Sequence, residues 1–527
     1  MQVAPASQGG QEVQRRSFKR AIALFSGIAL LAAACGSDKK SGTPASSAGA
    51  TTTAGAATTA AATTTAGGAT TAGATTTAAA AGGKVGATFI QDIEKAGQAK
   101  PLKAAGDPII VGFQNPEGDP AGTFPEYSAS AEAAVKYINE ELGGIGADHK
   151  AGKPGRPIKL EVCKMAITPA DSQKCANELA SKKPFVVISS LNFFGNHFEI
   201  YRAANIPVLV GVPITALDFT SPGVFAIGGG GGCLGAHTAL IEILTKQLGK
   251  KRIAIPWADT PPGVFCYHDL EKKPLEVLAG KKLNGQPIKA DGNTDKGSIP
   301  ELVHLGVPIK AGLADVTPQA TAVLDFKPDA IGFSAQGADC WSLVAALAKL
   351  GWTQAKTPLV LTGACIDLAK MTEFGDTAKG IYFVGTGGAT LSTPAALSGQ
   401  QRFEAETYLS RMTKYATGGA ETAGKGFASA GFSIMMQTFQ IMSEQAAGDP
   451  TKVDGASFVK LMGATSNHHQ WGGTGLDCAD GVKNAPYVAV CNSTANTLQW
   501  DGKELKEVKP VFSALHLIKG TDLDFGK

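Results

Sequence analysis

The sequence is poor in charge and in aromatic rings: charged residues make up 18% and aromatics 7% of its 527 residues. The formal net charge is only +3, and no Lys/Arg cluster stands out beyond the first twenty residues. A nucleic-acid surface needs a basic patch, so nucleic acid is excluded as a partner. The apolar run from Ala21 to Ala34 spans about 14 residues, short of the roughly 20 that a membrane helix needs. Catalytic signatures are missing as well. The sequence has no H-E-x-x-H, no G-x-x-x-x-G-K-[ST] and no G-x-S-x-G; the nearest stretch, Gly332-Phe333-Ser334-Ala335-Gln336, fails at its last position. No C-x-x-C occurs, which argues against a zinc knuckle or a thioredoxin-type redox pair. No nucleophile, base or metal constellation is visible, so the chain is expected to be neither an enzyme nor the holder of a cofactor or metal.

What is present begins at the N-terminus. Arg15, Arg16, Lys19 and Arg20 precede the apolar run, small residues follow, and Cys35 comes directly after Ala34. These are the parts of an export signal. Leu31-Ala32-Ala33-Ala34-Cys35 resembles a bacterial lipobox, with alanine where leucine usually sits three residues before the cysteine. On this reading residues 1–34 are a signal peptide and Cys35 carries a lipid that holds the protein on the outer face of a membrane; an ordinary Ala-x-Ala cut releasing a soluble protein is the alternative. Arg15-Arg16-Ser17-Phe18-Lys19 is compatible with either a twin-arginine or a general secretory signal. Ser37 to Gly83 is almost wholly Ala, Thr, Gly and Ser, without large apolar residues to bury, and cannot offset its ordering entropy. Residues 35–105 are therefore expected to be a disordered tether that does not dock on the folded part.

The folded part, from about Gly106, is too long for one comfortable core, so two lobes are expected. Apolar runs at Ile109–Phe113, Ile158–Val162, Phe185–Ile188 and Pro207–Val210 alternate with helical spacing such as Tyr127, Ala131, Ala134, Ile138 and Leu142. The alternation restarts after the run Gly228 to Gly232, with strands at Arg252–Ile255, Ala330–Phe333, Leu359–Leu361 and Ile381–Val384. Strands alternating with helices mean βαβ units and parallel sheets. The glycine run reads as a hinge rather than a phosphate cradle. The fold class is α/β: two Rossmann-like lobes with parallel sheets and a ligand cleft between them.

Of nine cysteines, setting Cys35 aside leaves eight in an exported chain, which reads as four disulfides. Their placement favours local pairs: Cys163–Cys175, Cys233–Cys266, Cys340–Cys365 and Cys478–Cys491. His468-His469, ahead of a Trp/Gly-rich turn, reads as a surface loop rather than a metal site.

The stretches "IIVGFQNPEGDPAGTF", "EAAVKYINEELGGIG", "PFVVISSLNFFG", "IPVLVGVPITALDFT" and "RIAIPWADTPPG", in that order, resemble the leucine/isoleucine/valine-binding proteins, type I solute-binding proteins of ABC importers. The resemblance covers about Gly106 to the C-terminus. It implies a three-segment hinge, with residues 106–228 and 366–475 in the first lobe and 229–365 and 476–527 in the second. It also implies a monomer that catches a small polar solute, such as an amino acid or an amide-like compound, and hands it to a membrane permease. A receptor that uses the same fold for signalling is the alternative. Ligands in open α/β sheets sit beyond the carboxyl ends of strands, so the candidate ligand contacts are Phe124, Asn192, Phe193, Thr215, Trp257, Asp259 and Asp339. The resemblance makes Phe124 an aromatic lid, gives Asn192 and Thr215 the ligand carboxylate, and sets Asp339 against an ammonium; a helix cap is the other reading of Asp339. Two departures stand out. Pro262 precedes Gly263 where amino-acid binders often carry tyrosine, and residues 281–316 read as an insertion in the second lobe.

Overall fold

The computed structural model describes residues 92, 102–120, 122–228, 232–283, 285–335, 338–385, 394, 397–479 and 487–521. The signal segment, Cys35 and nearly all of the tether lie outside them. Among the described residues no helix is long and apolar enough to cross a membrane.

The first lobe is built on five strands in the order β2-β1-β3-β4-β5, all parallel: β1 Ile109–Pro116, β2 Ile158–Met165, β3 Val186–Ser189, β4 Val208–Val210 and β5 Val224–Ala226. Alternate residues of β1, Val111 and Phe113, are fully buried on one face with Tyr127, Tyr137 and Phe432. The opposite face packs Val187 and Val208 against Leu179 and Tyr201. Helix Pro125–Glu140 starts with proline at its first turn, where the missing N–H costs nothing, and the chain turns away through Gly143 and Gly144 at φ +78° and +79°. Its buried stripe lies on helix Gly426–Ala446, with Tyr137 stacked on Phe432 at 6.4 Å. Gly431 permits the close approach: a Cβ there would meet the carbonyl oxygen of Tyr127 at 2.2 Å.

The second lobe has seven strands in the order β14-β13-β12-β11-β10-β6-β9. Five are parallel: β6 Arg252–Asp259, β9 Val303–Lys310, β10 Ala330–Phe333, β11 Leu359–Thr362 and β12 Tyr382–Gly385. The antiparallel pair β13 Thr494–Trp500 and β14 Leu505–Ser513 completes the sheet, and the ribbon β7 Lys282–Leu283 with β8 Gln286–Pro287 stands apart. Three boundaries differ from the sequence reading. Strand β9 lies inside the expected insertion 281–316, yet it pairs with β6 along its whole length; Val303, Leu305, Val307 and Ile309 alternate with His304, Gly306, Pro308 and Lys310, a period-two pattern interrupted in appearance by the glycine and proline. Strand β12 belongs to this sheet, so the second lobe runs on past residue 365. Leu476, Cys478 and Cys491 pack in the first-lobe core, and Val490 bridges Ala226, so the last crossing comes after Cys491 rather than at residue 476.

Two crossings are tied together by Gln470, whose Nε2 donates to the carbonyl of Ile227 and whose Oε1 accepts from Nδ2 of Asn492. At the first crossing Gly232 has φ +55°, and a Cβ there would lie 2.0 Å from the carbonyl oxygen of Pro213. Only glycine fits that position. Four disulfides join Cys163 to Cys175, Cys233 to Cys266, Cys340 to Cys365 and Cys478 to Cys491, the local pairs named from the sequence.

The end of the tether does dock, against expectation. Leu102 bridges Leu142, the Ala104 N–H donates to the carbonyl of Asn139 at 2.8 Å, and the Ala105 N–H donates to that of Gly155 at 2.9 Å. A chain begun at residue 106 should be less stable than one begun at 102 by about 1–2 kcal/mol, the worth of two backbone hydrogen bonds. Equal denaturation midpoints for the two would refute this.

Asp218 caps the helix Ala216–Thr220 reciprocally with Thr215, its Oδ2 accepting from the N–H of Ile214 at 2.8 Å and of Thr215 at 2.7 Å. Full burial nevertheless pushes its carboxyl up from 3.8 to about 7, against the pull of those N–H groups. Between these values the folded chain holds a proton that the unfolded chain has released, so stability falls as pH rises through that window. Asp218→Asn keeps the accepting oxygen and removes the charge, so the variant should gain stability over the parent as pH rises from about 4 to 7. A constant difference in melting temperature across that range would rule out the burial cost.

Candidate functional site

A cavity of about 160 Å³ opens where the carboxyl ends of strands from both sheets converge. Leu191 and Phe193 follow β3, and Gly211, Val212 and Ile214 follow β4. From the second lobe come Thr260 after β6, Ser334 after β10 and the Thr362–Ala364 turn after β11. Phe427 and Ser433 reach it from the helix that packs on Pro125–Glu140, and Gln470 to Gly473 close one side. This is the position that strand topology dictates for a ligand in an open α/β sheet.

The lining is mostly apolar, and among the described lining residues none is Lys, Arg, Asp or Glu. Most of its polar side chains are already engaged. The Thr362 hydroxyl donates to the carbonyl of Ala335 at 3.0 Å, and the Thr260 hydroxyl accepts from the Gly263 N–H at 3.2 Å. Trp471 is fully buried, its backbone N–H donates to Oε1 of Gln437 at 2.9 Å, and its indole Nε1 has no partner among the described residues. Among the described residues the one ionisable lining side chain outside a disulfide is His237, on helix Cys233–Glu242. Its Nδ1 lies 2.9 Å from Oε1 of Glu271, off the line of a hydrogen bond, and Glu271 is fully buried. The hydroxyl of Ser334 donates to the same carboxylate oxygen.

His237 also lies with Cys233 and Cys266 in a triangle of donor atoms within 4.8 Å of one another. The two sulfurs are joined in a disulfide. Bonded sulfur is not a thiolate ligand, so this arrangement does not make a metal site.

Of the seven residues expected to touch a ligand, Phe193 lines the cavity and the others do not. Phe124 packs edge-on against Phe427, 5.2 Å away, one layer behind the wall. Asn192 is spent on its own loop: its Oδ1 accepts from the Phe194 N–H at 3.0 Å and its Nδ2 donates to Ser172. Thr215 is the helix cap already described. Trp257 stacks on Tyr267 at 4.9 Å, and Asp259 ends β6 exposed to solvent. Asp339 lies in the first turn of helix Ala338–Lys349 and accepts from the N–H of Gly312 at 3.2 Å. Burial pushes its carboxyl up while that N–H pulls it down. Thr215 and Asp339 therefore do not grip a zwitterion from opposite sides of this cavity. The loop expected around His468-His469 is also different: His468 is buried against Glu444 at 2.9 Å, and the turn that follows carries Trp471 into the cavity wall. His237 and Trp471 were within reach of sequence reading. The glycine run announced the helix that carries His237, and a Trp-Gly-Gly turn is an unusual surface loop.

The two-sheet architecture with a cavity between the lobes defines a two-lobed binding protein. The sequence matches the periplasmic binding protein family over residues 108–265 and 300–491, and the chain belongs to that family. Comparison with curated proteins finds no relative. Solved structures share the fold. A solute-binding protein of an ABC transporter from R. palustris, in complex with 4-hydroxybenzoate, is 19% identical with TM-score 0.54, covering 77% of this chain and 97% of that one. A leucine-binding protein, LivK, from Thermotoga maritima is 13% identical with TM-score 0.53, covering 77% and 99%. A fatty acid ABC transporter substrate-binding protein from Thermomonospora curvata is 14% identical with TM-score 0.58, covering 80% and 98%. As a periplasmic binding protein the chain works outside the cytoplasm and binds a small-molecule solute.

Proposed function

We propose that this protein is the lipid-anchored solute-capturing component of an ABC importer, and that it hands one small, largely apolar solute to a membrane permease. The observation that carries this reading is the cavity built by strand ends of both sheets, so that a ligand touches both lobes at once. The structural neighbours, solute-binding proteins for benzoates, leucine and a fatty acid, support a small solute with a substantial apolar part. The sparse charge of the lining supports such a solute over a zwitterion, which needs two opposite partners.

Affinity from two lobes is linked to hinge closure, because only the closed form makes all contacts. Native mass spectrometry of the purified protein should find a co-purified solute, and scattering should show a smaller radius of gyration with it than without. Identical dimensions in both states would overturn the closure mechanism. Cys35→Ala should move the protein from the membrane to the soluble fraction, and retention on the membrane would overturn the anchor.

A further inference from the structure

We infer that His237, backed by Glu271, receives the single carboxylate of a ring-sized apolar solute, and that the cavity has no matching place for an ammonium group. This rests on the solute-binding reading above and specifies its ligand.

The argument starts from Glu271. Its side chain is fully buried, one oxygen accepts from Ser334, and the other has no partner among the described residues. His237 is the one basic side chain within 4.0 Å of it among the described residues, with Nδ1 2.9 Å from Oε1. The imidazole is thus held with Nδ1 toward Glu271. That nitrogen is out of solvent reach although the His237 side chain is 14% exposed, so the rest of the ring faces the cavity. Nε2 makes no hydrogen bond within the described residues and is left as a donor without an acceptor. A ligand oxygen completes it, and a carboxylate does so most strongly because the bond is then charge-assisted. The backbone favours the same sign. His237 sits one turn into helix Cys233–Glu242, whose N-terminal residues Gly232 and Cys233 line the cavity, and helix Gly426–Ala446 also presents its first turn there. Helix N-termini carry positive partial charge.

The remaining wall sets the solute's other half. Phe193, Phe427 and Trp471 supply aromatic surface, and no acidic side chain lines the cavity among the described residues. The volume of about 160 Å³ is close to that of a cavity that takes benzene, roughly 150 Å³. Glu271 itself does not line the cavity, so it offers no direct seat to an ammonium. The family match omits residues 266–299, which include Glu271.

Calorimetry with three probes tests the inference: benzoate, its neutral isostere benzamide, and the zwitterion L-leucine. The full mature protein should bind benzoate at least about tenfold more tightly than benzamide or leucine, the usual margin of a charge-assisted bond. His237→Gln should reduce the preference for benzoate over benzamide to within about threefold, with an unchanged circular-dichroism spectrum to show that the variant is folded. Glu271→Gln should narrow the same preference without altering the cavity wall. Benzamide or leucine bound as tightly as benzoate would overturn the inference, as would an undiminished preference in His237→Gln. Failure of all three probes to bind at millimolar concentration would overturn it too. A co-purified solute of another class in the mass-spectrometric experiment would then leave the solute-binding reading intact.

Discussion

Trp471→Ala should destabilise the protein by about 3–5 kcal/mol, the cost of removing a fully buried aromatic side chain and leaving a cavity behind. The indole is wholly buried, meets Phe403 edge-on at 5.9 Å and forms part of the ligand cavity wall. Its neighbours are held by hydrogen bonds that do not use its side chain: Gln470 to Ile227 and Asn492, and the Gly472 N–H to Glu404 at 2.9 Å. The turn therefore keeps its course when the ring is lost, and the vacated volume joins the cavity rather than collapsing. Ligand affinity should fall along with stability. Trp471→Phe should be much milder, because the indole Nε1 has no partner among the described residues to lose. Denaturant melts of the two variants check the prediction; an alanine variant within 1 kcal/mol of the parent (against the estimate of about 3–5) would show that the turn repacks.

Replacing both Cys340 and Cys365 by alanine should cost about 3.5 kcal/mol on the chain-entropy account, since the bond closes a loop with a sequence separation of 25 residues. Both cysteines are buried, and the indole of Trp341 donates to the carbonyl of Cys365 at 3.1 Å. The disulfide fastens the Gly363–Cys365 turn to helix Ala338–Lys349, and that turn is part of the second lobe's wall of the cavity. Binding should therefore weaken beyond what a loss of global stability explains at temperatures where the variant remains folded. Alanine at Cys163 and Cys175, on the outer side of the first lobe, should lower stability by a similar amount and leave affinity unchanged. Equal affinity in both double variants would mean that the turn keeps its place without its bond.

The order of strands and helices was legible because it rests on local periodicity. Ile109, Val111 and Phe113 alternate, Tyr127, Ala131, Ala134 and Ile138 recur at helical spacing, and each pattern leads to an element of the fold. The cysteine pairs were legible for a related reason: each joins neighbours in sequence that lie on adjacent elements, so little of the fold beyond element order was needed. Strand β9 carries a legible alternation at Val303, Leu305, Val307 and Ile309, but Gly306 and Pro308 lie within it, and proline suits only an edge strand such as this one. The crossings after β12 and Cys491 escaped because lobe membership depends on long-range pairing, which no local pattern encodes.

The candidate site divides the same way. Topology alone pointed to the carboxyl ends of the strands and included Phe193. Which side chains enter the cavity was decided in three dimensions. Asn192, Thr215 and Asp339 have the chemistry of ligand contacts, but nearby backbone N–H groups claim them first. His237 and Glu271 are 34 positions apart and meet only because helix Cys233–Glu242 packs on the π-helical turn His268–Lys272. Sequence by itself determined that this is an exported-type, disulfide-bonded, two-lobed α/β chain, because periodicity and composition are local properties. Only the tertiary structure decided which polar groups satisfy one another and which are left to meet a solute, because hydrogen-bond satisfaction belongs to the packed whole.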